Sequence, residues 1–146
     1  MTFRFRLDGV LRFRKSVEQS EEVALYHIVR EIIDVERELQ QLESNQVRIR
    51  EQREQDLTRT LPAVHLREIA ERELELQTAA DRVRSRLRQL ETQRHQQLAI
   101  YQTAHQNREV LSELREQQRR THQMEQRRRE QKALDDLFLI RGKDRH

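Results

Sequence analysis

Bulky apolar residues along this chain of 146 residues recur at steps of three and four on both sides of a single proline. That spacing lays them on one stripe of an α-helix, whereas a strand would need strict alternation. In the second half Ile69, Leu76, Val83, Leu90, Gln97, Ala104 and Leu111 stand seven residues apart. Leu66, Glu73, Ala80, Leu87, Arg94, Tyr101 and Arg108 keep the same spacing beside them. Two interleaved heptad rows are the signature of a coiled coil. In the first half the row runs through Val10, Phe13, Val17, Ser20, Ala24, Ile28, Ile32, Val35, Leu39, Leu42, Gln46 and Ile49. Its steps alternate three and four except for successive fours around Ala24 to Ile32, which predicts a stutter that locally unwinds the supercoil.

The proline, Pro62, stands in "LTRTLPAVHLRE". Inside a helix it would delete a backbone hydrogen bond and clash with the preceding turn, so the chain reads as helix, turn, helix. The expected fold is all-α, a long antiparallel two-helix coiled coil, that is, a stalk-like helical hairpin. Residues 1–146 form one such hairpin: arm 1 about 3–59, turn about 60–64, arm 2 about 65–138 and tail 139–146. Each arm of roughly 55 residues spans about 80 Å. Folding about Pro62 sets Tyr26 near Tyr101 and Leu39 near Leu87. The first arm runs out early, so the last residues extend past it or pack on something else. Phe3, Phe5, Phe13 and Phe138, all the phenylalanines in the chain, lie toward the open end.

Composition supports exposed helices over a compact core. Charged residues make up 38% and aromatics 4%, and helix formers dominate, with one proline and two glycines to interrupt them. The absence of cysteine excludes disulfides and thiolate metal sites and suits a reducing cytoplasm. No stretch approaches the roughly 20 apolar residues of a membrane span. The basic start "MTFRFRLDGVLRFRK" lacks a continuous apolar segment and carries Asp8, which argues against a targeting peptide. Charge is uneven: residues 1–15 hold five basic and one acidic side chain, residues 16–114 fourteen and nineteen, and residues 115–132 seven and three. A hairpin brings the two basic ends together.

Little in the chain suggests chemistry. His27, His65, His95, His105, His122 and His146 lack metal-ligand spacing. No pair of carboxylates is set apart, and a two-helix hairpin has no cavity in which to shift a pKa. The expectation is a protein that is not an enzyme, with no catalytic residue, cofactor or metal. Arg94, Gln97 and Arg108 at core-type positions serve either to fix register or as functional polar contacts. Arg127, Arg128 and Arg129 project to different sides of one helix. They fit a solvated helix end, an acidic protein surface or nucleic acid phosphates, though the acidic middle argues against the last. Leu134, Leu137 and Phe138 recur at i, i+3 and i+4, a short anchor of the helix-in-groove kind.

The two ends, "FRLDGVLRFRKSVEQSEEVA" and "EQKALDDL", resemble the flagellar export protein FliJ family. At the start Phe5, Leu7, Leu11 and Arg14, followed by Glu18, match the family's opening pattern. At the end Gln131, Lys132, Leu134, Asp135, Asp136 and Leu137 match its closing one, with Asp136 where members typically have glutamate.

The resemblance implies a non-enzymatic stalk of the bacterial flagellar type III protein export apparatus, important for motility. Such a stalk inserts its paired ends into the ring of the export ATPase FliI, promotes ring assembly, and contacts the regulator FliH, the export gate FlhA and export chaperones. Localisation would be cytoplasmic, peripheral at the inner membrane beneath the basal body. The ATPase-ring contact would then be Phe3, Phe5, Arg6, Phe13, Arg127, Arg128, Arg129, Lys132, Leu134, Asp135, Leu137 and Phe138. The export-gate contact would fall at Glu38, Leu42, Asn45 and Ile49. Alternatives are the equivalent stalk of a virulence-type injectisome, a generic coiled-coil scaffold and a nucleic-acid-binding hairpin.

Overall fold

A computed structural model of the chain describes residues 2–59 and 62–144. Two helices carry almost all of it, α1 over Asp8–Leu57 and α2 over Ala63–Asp144, and no strand occurs among the described residues. They pair as an antiparallel helical hairpin, as the two heptad patterns predict. Contacts group into two compact units, residues 21–101 and residues 1–20 with 102–146.

The turn expected over 60–64 includes Thr60 and Leu61, which lie outside the described residues, as do Met1, Arg145 and His146. On its near side α1 closes tightly. The amides of Thr58 and Arg59 donate to the carbonyls of Gln55 and Asp56 at 3.3 and 3.1 Å, and the Thr58 hydroxyl donates to Gln55 O at 2.6 Å. These bonds satisfy carbonyls that a helix end otherwise leaves open. On the far side the Pro62 carbonyl accepts from His65 N at 3.0 Å and Leu66 N at 3.5 Å, so the proline precedes the first turn of α2, where its missing N–H costs nothing.

In residues 21–101 the seam of α1 comprises Leu25, Ile32, Leu39 and Gln46 in one row and Glu21, Ile28, Val35, Leu42 and Ile49 in the other, all buried or half-buried. From α2 the seam receives Ile69, Leu76, Val83, Leu90 and Gln97 with Glu73, Ala80, Leu87 and Tyr101. Ala80 and Leu90 are fully buried. Burying a leucine or isoleucine contributes about 1.5–3 kcal/mol, and a narrow two-helix seam buries only one or two side chains per layer. Polar contacts between the helices add the antiparallel register: Arg53 Nη1 to the seam residue Glu73 Oε2 at 3.1 Å, the seam residue Gln46 Nε2 to Gln77 Oε1 at 3.0 Å, Arg84 Nη2 to Glu43 Oε1 at 3.4 Å, and Arg86 with Glu31.

In residues 1–20 with 102–146 the α1 seam comprises Leu11, Arg14 and Glu18, and α2 supplies Ala104, Arg108 and Leu111. Leu11 is 2% exposed, while Val10 is 45% exposed and Phe13 61%. This corrects the first-arm seam expected from apolarity. Val10, Phe13 and Ser20 face solvent, and the positions taken are Leu11, Arg14, Glu18 and Glu21. The heptad spacing of α1 is therefore unbroken from Leu11 to Ile49, and the predicted stutter is absent. One residue is a 100° step on a helix, so choosing Val10 over its neighbour Leu11 rotates the inferred stripe. Glu18 and Glu21 take seam positions because each carboxylate meets a donor on α2, Arg108 and Gln97 respectively.

Candidate functional site

The residues expected to meet an ATPase ring all belong to the unit formed by residues 1–20 with 102–146. The segment before α1 is not helical. Phe5 is 7% exposed, its carbonyl accepts the Asp8 amide at 3.1 Å, and this bond sets the entry into α1. Asp8, whose charge suits the helix N-terminus, lies 3.6 Å from Arg12 and 4.0 Å from Arg115 of α2. Phe3 is half-buried, its ring tilted against His122 with centroids 5.6 Å apart. Beside it Arg4, Leu114, Gln117, Thr121, His122 and Glu125 line an open cleft of about 490 Å³. Phe13 faces solvent, with the Arg14 guanidinium 6.0 Å from its ring centroid, within cation–π range. Arg6 is exposed.

On α2 the half-buried positions end at Gln126, and every residue from Arg127 to Lys143 is exposed. Arg127, Arg128, Arg129 and Lys132 form no ion pair among the described residues. Asp135 Oδ1 accepts from Gln131 Nε2 at 3.3 Å, one turn earlier. Leu134, Leu137 and Ile140 are more than half exposed and Phe138 is 80% exposed. Ala133, Leu134, Leu137, Phe138 and Ile140 share one face about 160° wide at 100° per residue, with Leu139 on the opposite side. Phe138 lies sixteen residues beyond His122, about 24 Å along a helix, so the C-terminal strip and the Phe3 cleft are successive surfaces and not one patch. Of the expected contacts, Phe5 is turned into the core, Phe3 is partly covered, and Arg6, Phe13, the arginine cluster and the Leu134–Phe138 strip are open to a partner.

The expected gate residues belong to the other unit. Leu42 and Ile49 are seam positions, Ile49 only 9% exposed, while Glu38 is exposed and Asn45 half-buried at the flank. A partner on this face reaches Glu38 and Asn45 directly. Leu42 is half-buried, and the edge of Ile49 lines a shallow groove with Asn45, Arg48, Gln52, Arg72 and Leu76.

The polar seam residues act between helices. Arg108 Nε donates to Glu18 Oε2 at 2.7 Å, and His105 Nδ1 lies 3.5 Å from the same carboxylate and its Nε2 3.4 Å from Glu109. Gln97 Nε2 donates to the Glu21 carbonyl at 3.1 Å and to its carboxylate. Arg94, by contrast, is exposed and pairs with Glu91 of its own helix at 3.0 Å. Sequence reasoning noted Gln97 and Arg108 but missed their partners. The available signal was the shared heptad spacing of Leu11, Glu18 and Leu25 and of Arg14, Glu21 and Ile28. One further ion pair, from Arg119 to Glu116, lowers the Glu116 pKa, chiefly through the side-chain hydrogen bond, and raises that of Arg119 for the same reason.

Among the described residues no group of three or more His, Asp or Glu could hold a metal ion, and no helix is long and apolar enough to cross a membrane. Of the N-terminal residues that match the resemblance, Leu11, Arg14 and Glu18 are seam positions, while Phe5 and Leu7 precede α1, Phe5 buried and Leu7 exposed. No curated protein and no solved structure matched the chain. The family profile described as Flagellar FliJ protein matches residues 3–145, nearly the whole chain, and the chain therefore belongs to the flagellar FliJ family.

Proposed function

We propose that this chain is the non-enzymatic stalk of the flagellar type III export apparatus, inserting its open end into the ring of the export ATPase FliI and promoting ring assembly. Membership of the FliJ family makes it a component of flagellar protein export. The stalk role rests on one observation: past Gln126, α2 is exposed from Arg127 to Lys143, with an uncovered apolar face and with Arg127, Arg128, Arg129 and Lys132 in no ion pair among the described residues. Basic side chains speed encounter with an acidic or polar ring lumen, and Leu134, Leu137 and Phe138 set residence once they are desolvated.

In this reading Glu38 and Asn45 are the accessible part of a contact with the export gate FlhA. The regulator FliH and the export chaperones are further partners, and the assembly sits at the cytoplasmic face of the inner membrane beneath the basal body. The test is co-purification of the full chain with the export ATPase beside a chain ending at Gln126. Retention of the full chain and loss of the shortened one supports the stalk. Equal retention of the two assigns the contact elsewhere.

A further inference from the structure

Positions turned away from the seam of a two-helix coiled coil are ordinarily polar. On α1 within residues 21–101 several are not. One outward row is Val23, Arg30, Arg37 and Ser44, and its companion is Tyr26, Ile33, Gln40 and Val47. Val23 is 48% exposed, Tyr26 58% and Ile33 38%. From Val23 through Tyr26, Arg30 and Ile33 to Arg37 the steps are three, four, three and four, a second heptad stripe on the same helix, about 21 Å long. The corresponding rows of α2 in this unit carry bulky apolar residues only at Val64 and Leu74, ten residues apart and thus not neighbours on a helix face.

Two arginines stand in the stripe. Arg30 and Arg37 make no ion pair among the described residues, although Asp34 lies four residues after one and three before the other. The molecule's own seam shows what satisfies such a position, since Arg108 at a seam site is met by the Glu18 carboxylate of the opposing helix. We propose that the Val23–Arg37 stripe docks an amphipathic helix of another protein, one whose apolar seam carries two carboxylates seven residues apart to meet Arg30 and Arg37.

A second copy of this chain fits poorly. Laid fully on itself about a two-fold axis, parallel in register or antiparallel about its midpoint at Arg30, it brings Arg30 against Arg30, and like charges in contact oppose association. An anionic lipid surface fits poorly as well, because Glu22, Asp34 and Glu36 border the stripe, which is narrower than the apolar face of an interfacial helix.

The experiment uses the full chain and two labelled helical peptides with identical leucine seams and lysine edges. One carries glutamate at the two seam sites and the other carries lysine there, and binding is read by fluorescence anisotropy. The glutamate peptide binds about tenfold tighter or more. Arg30→Glu with Arg37→Glu reverses that preference, and Ile33→Asp abolishes binding of both peptides. All these positions are solvent-facing, so circular dichroism of the variants stays that of the parent.

Equal binding of the two peptides, absence of saturable binding, or an unchanged preference in the double arginine variant overturns the proposal. So does a dimer in sedimentation that Ile33→Asp dissolves, which makes a second copy the occupant. Binding to phosphatidylglycerol vesicles that the same variants abolish assigns the stripe to a membrane surface and likewise overturns it.

Discussion

Arg108 of α2 donates through Nε to Glu18 Oε2 of α1 at 2.7 Å, and both side chains are at least three-quarters buried at heptad seam positions. An ion pair in a seam of leucines is a device for register more than for stability, because desolvating two charges offsets most of their attraction. Any slip of one helix by a turn would separate the pair and leave each charge facing apolar side chains.

Removing one partner should therefore cost more than removing both. Arg108→Ala is expected to destabilise the hairpin by about 1–3 kcal/mol, since the part-buried Glu18 carboxylate loses its 2.7 Å hydrogen bond and is left with the longer approach of His105 at 3.5 Å. Glu18→Leu with Arg108→Leu should return stability to the parent level or above. Thermal melts followed by circular dichroism measure both, and an additive double variant would remove the pair from the seam.

The corrected first-arm seam makes a sharp contrast between neighbours. Leu11→Ala should cost about 2–5 kcal/mol as a buried large-to-small change, whereas Val10→Ala and Phe13→Ala should stay within about 0.5 kcal/mol as surface changes. Equal losses from Leu11 and Val10 in chemical denaturation would restore the apolar row drawn from periodicity.

Reversing Arg127, Arg128 and Arg129 to glutamate should lower affinity for the export ATPase by about tenfold or more at low salt and flatten its salt dependence, with helicity unchanged. Leu137→Ala with Phe138→Ala should act mainly on dissociation, as loss of apolar anchors does. Surface plasmon resonance at two ionic strengths separates these effects, and unchanged binding at low salt would move the contact away from the C-terminal strip.

At the expected gate face the seam residues and the flanking ones should part company. Leu42→Ala is expected to lower stability by about 2–3 kcal/mol and Glu38→Ala by less than about 0.5. If FlhA binding is lost in Glu38→Ala with the melting temperature unchanged, the surface is a true contact. Loss in Leu42→Ala alone would report only a weakened hairpin.

Glu116 carries the pH signature. Its pKa is lowered in the folded chain, first by the Arg119 hydrogen bond, so folding is favoured where Glu116 is ionised in both states, above its unfolded pKa. That contribution fades as pH falls through the lowered folded value, and it is small because the pair is solvent-exposed. Carbon-detected NMR titration should show the Glu116 carboxyl moving back up toward the ordinary range in Arg119→Ala. An unchanged midpoint would dismiss the pair.

Much of the fold was legible in the chain. Pro62 marked the reversal, and the strict sevens from Leu66 to Leu111 marked the second arm, because a helix that must bury one narrow stripe repeats it in its sequence. The family likeness at both ends was legible too. Arm lengths left the last residues either to extend past the first arm or to pack on something else, and the structure shows the run from Arg127 to Lys143 exposed. The candidate site was only half legible, since nothing local distinguishes Phe5, which is buried, from Phe13, which is not.

What the sequence determined by itself was the helical hairpin, its antiparallel sense and the residues left over at its open end. Those follow from periodicity and a single proline, which act locally. The tertiary structure decided which of two adjacent residues faces inward, Leu11 and not Val10, and it admitted Glu18 and Glu21 to the seam. That choice depends on the opposing helix, because a carboxylate enters a seam only where a donor such as Arg108 or Gln97 waits to receive it.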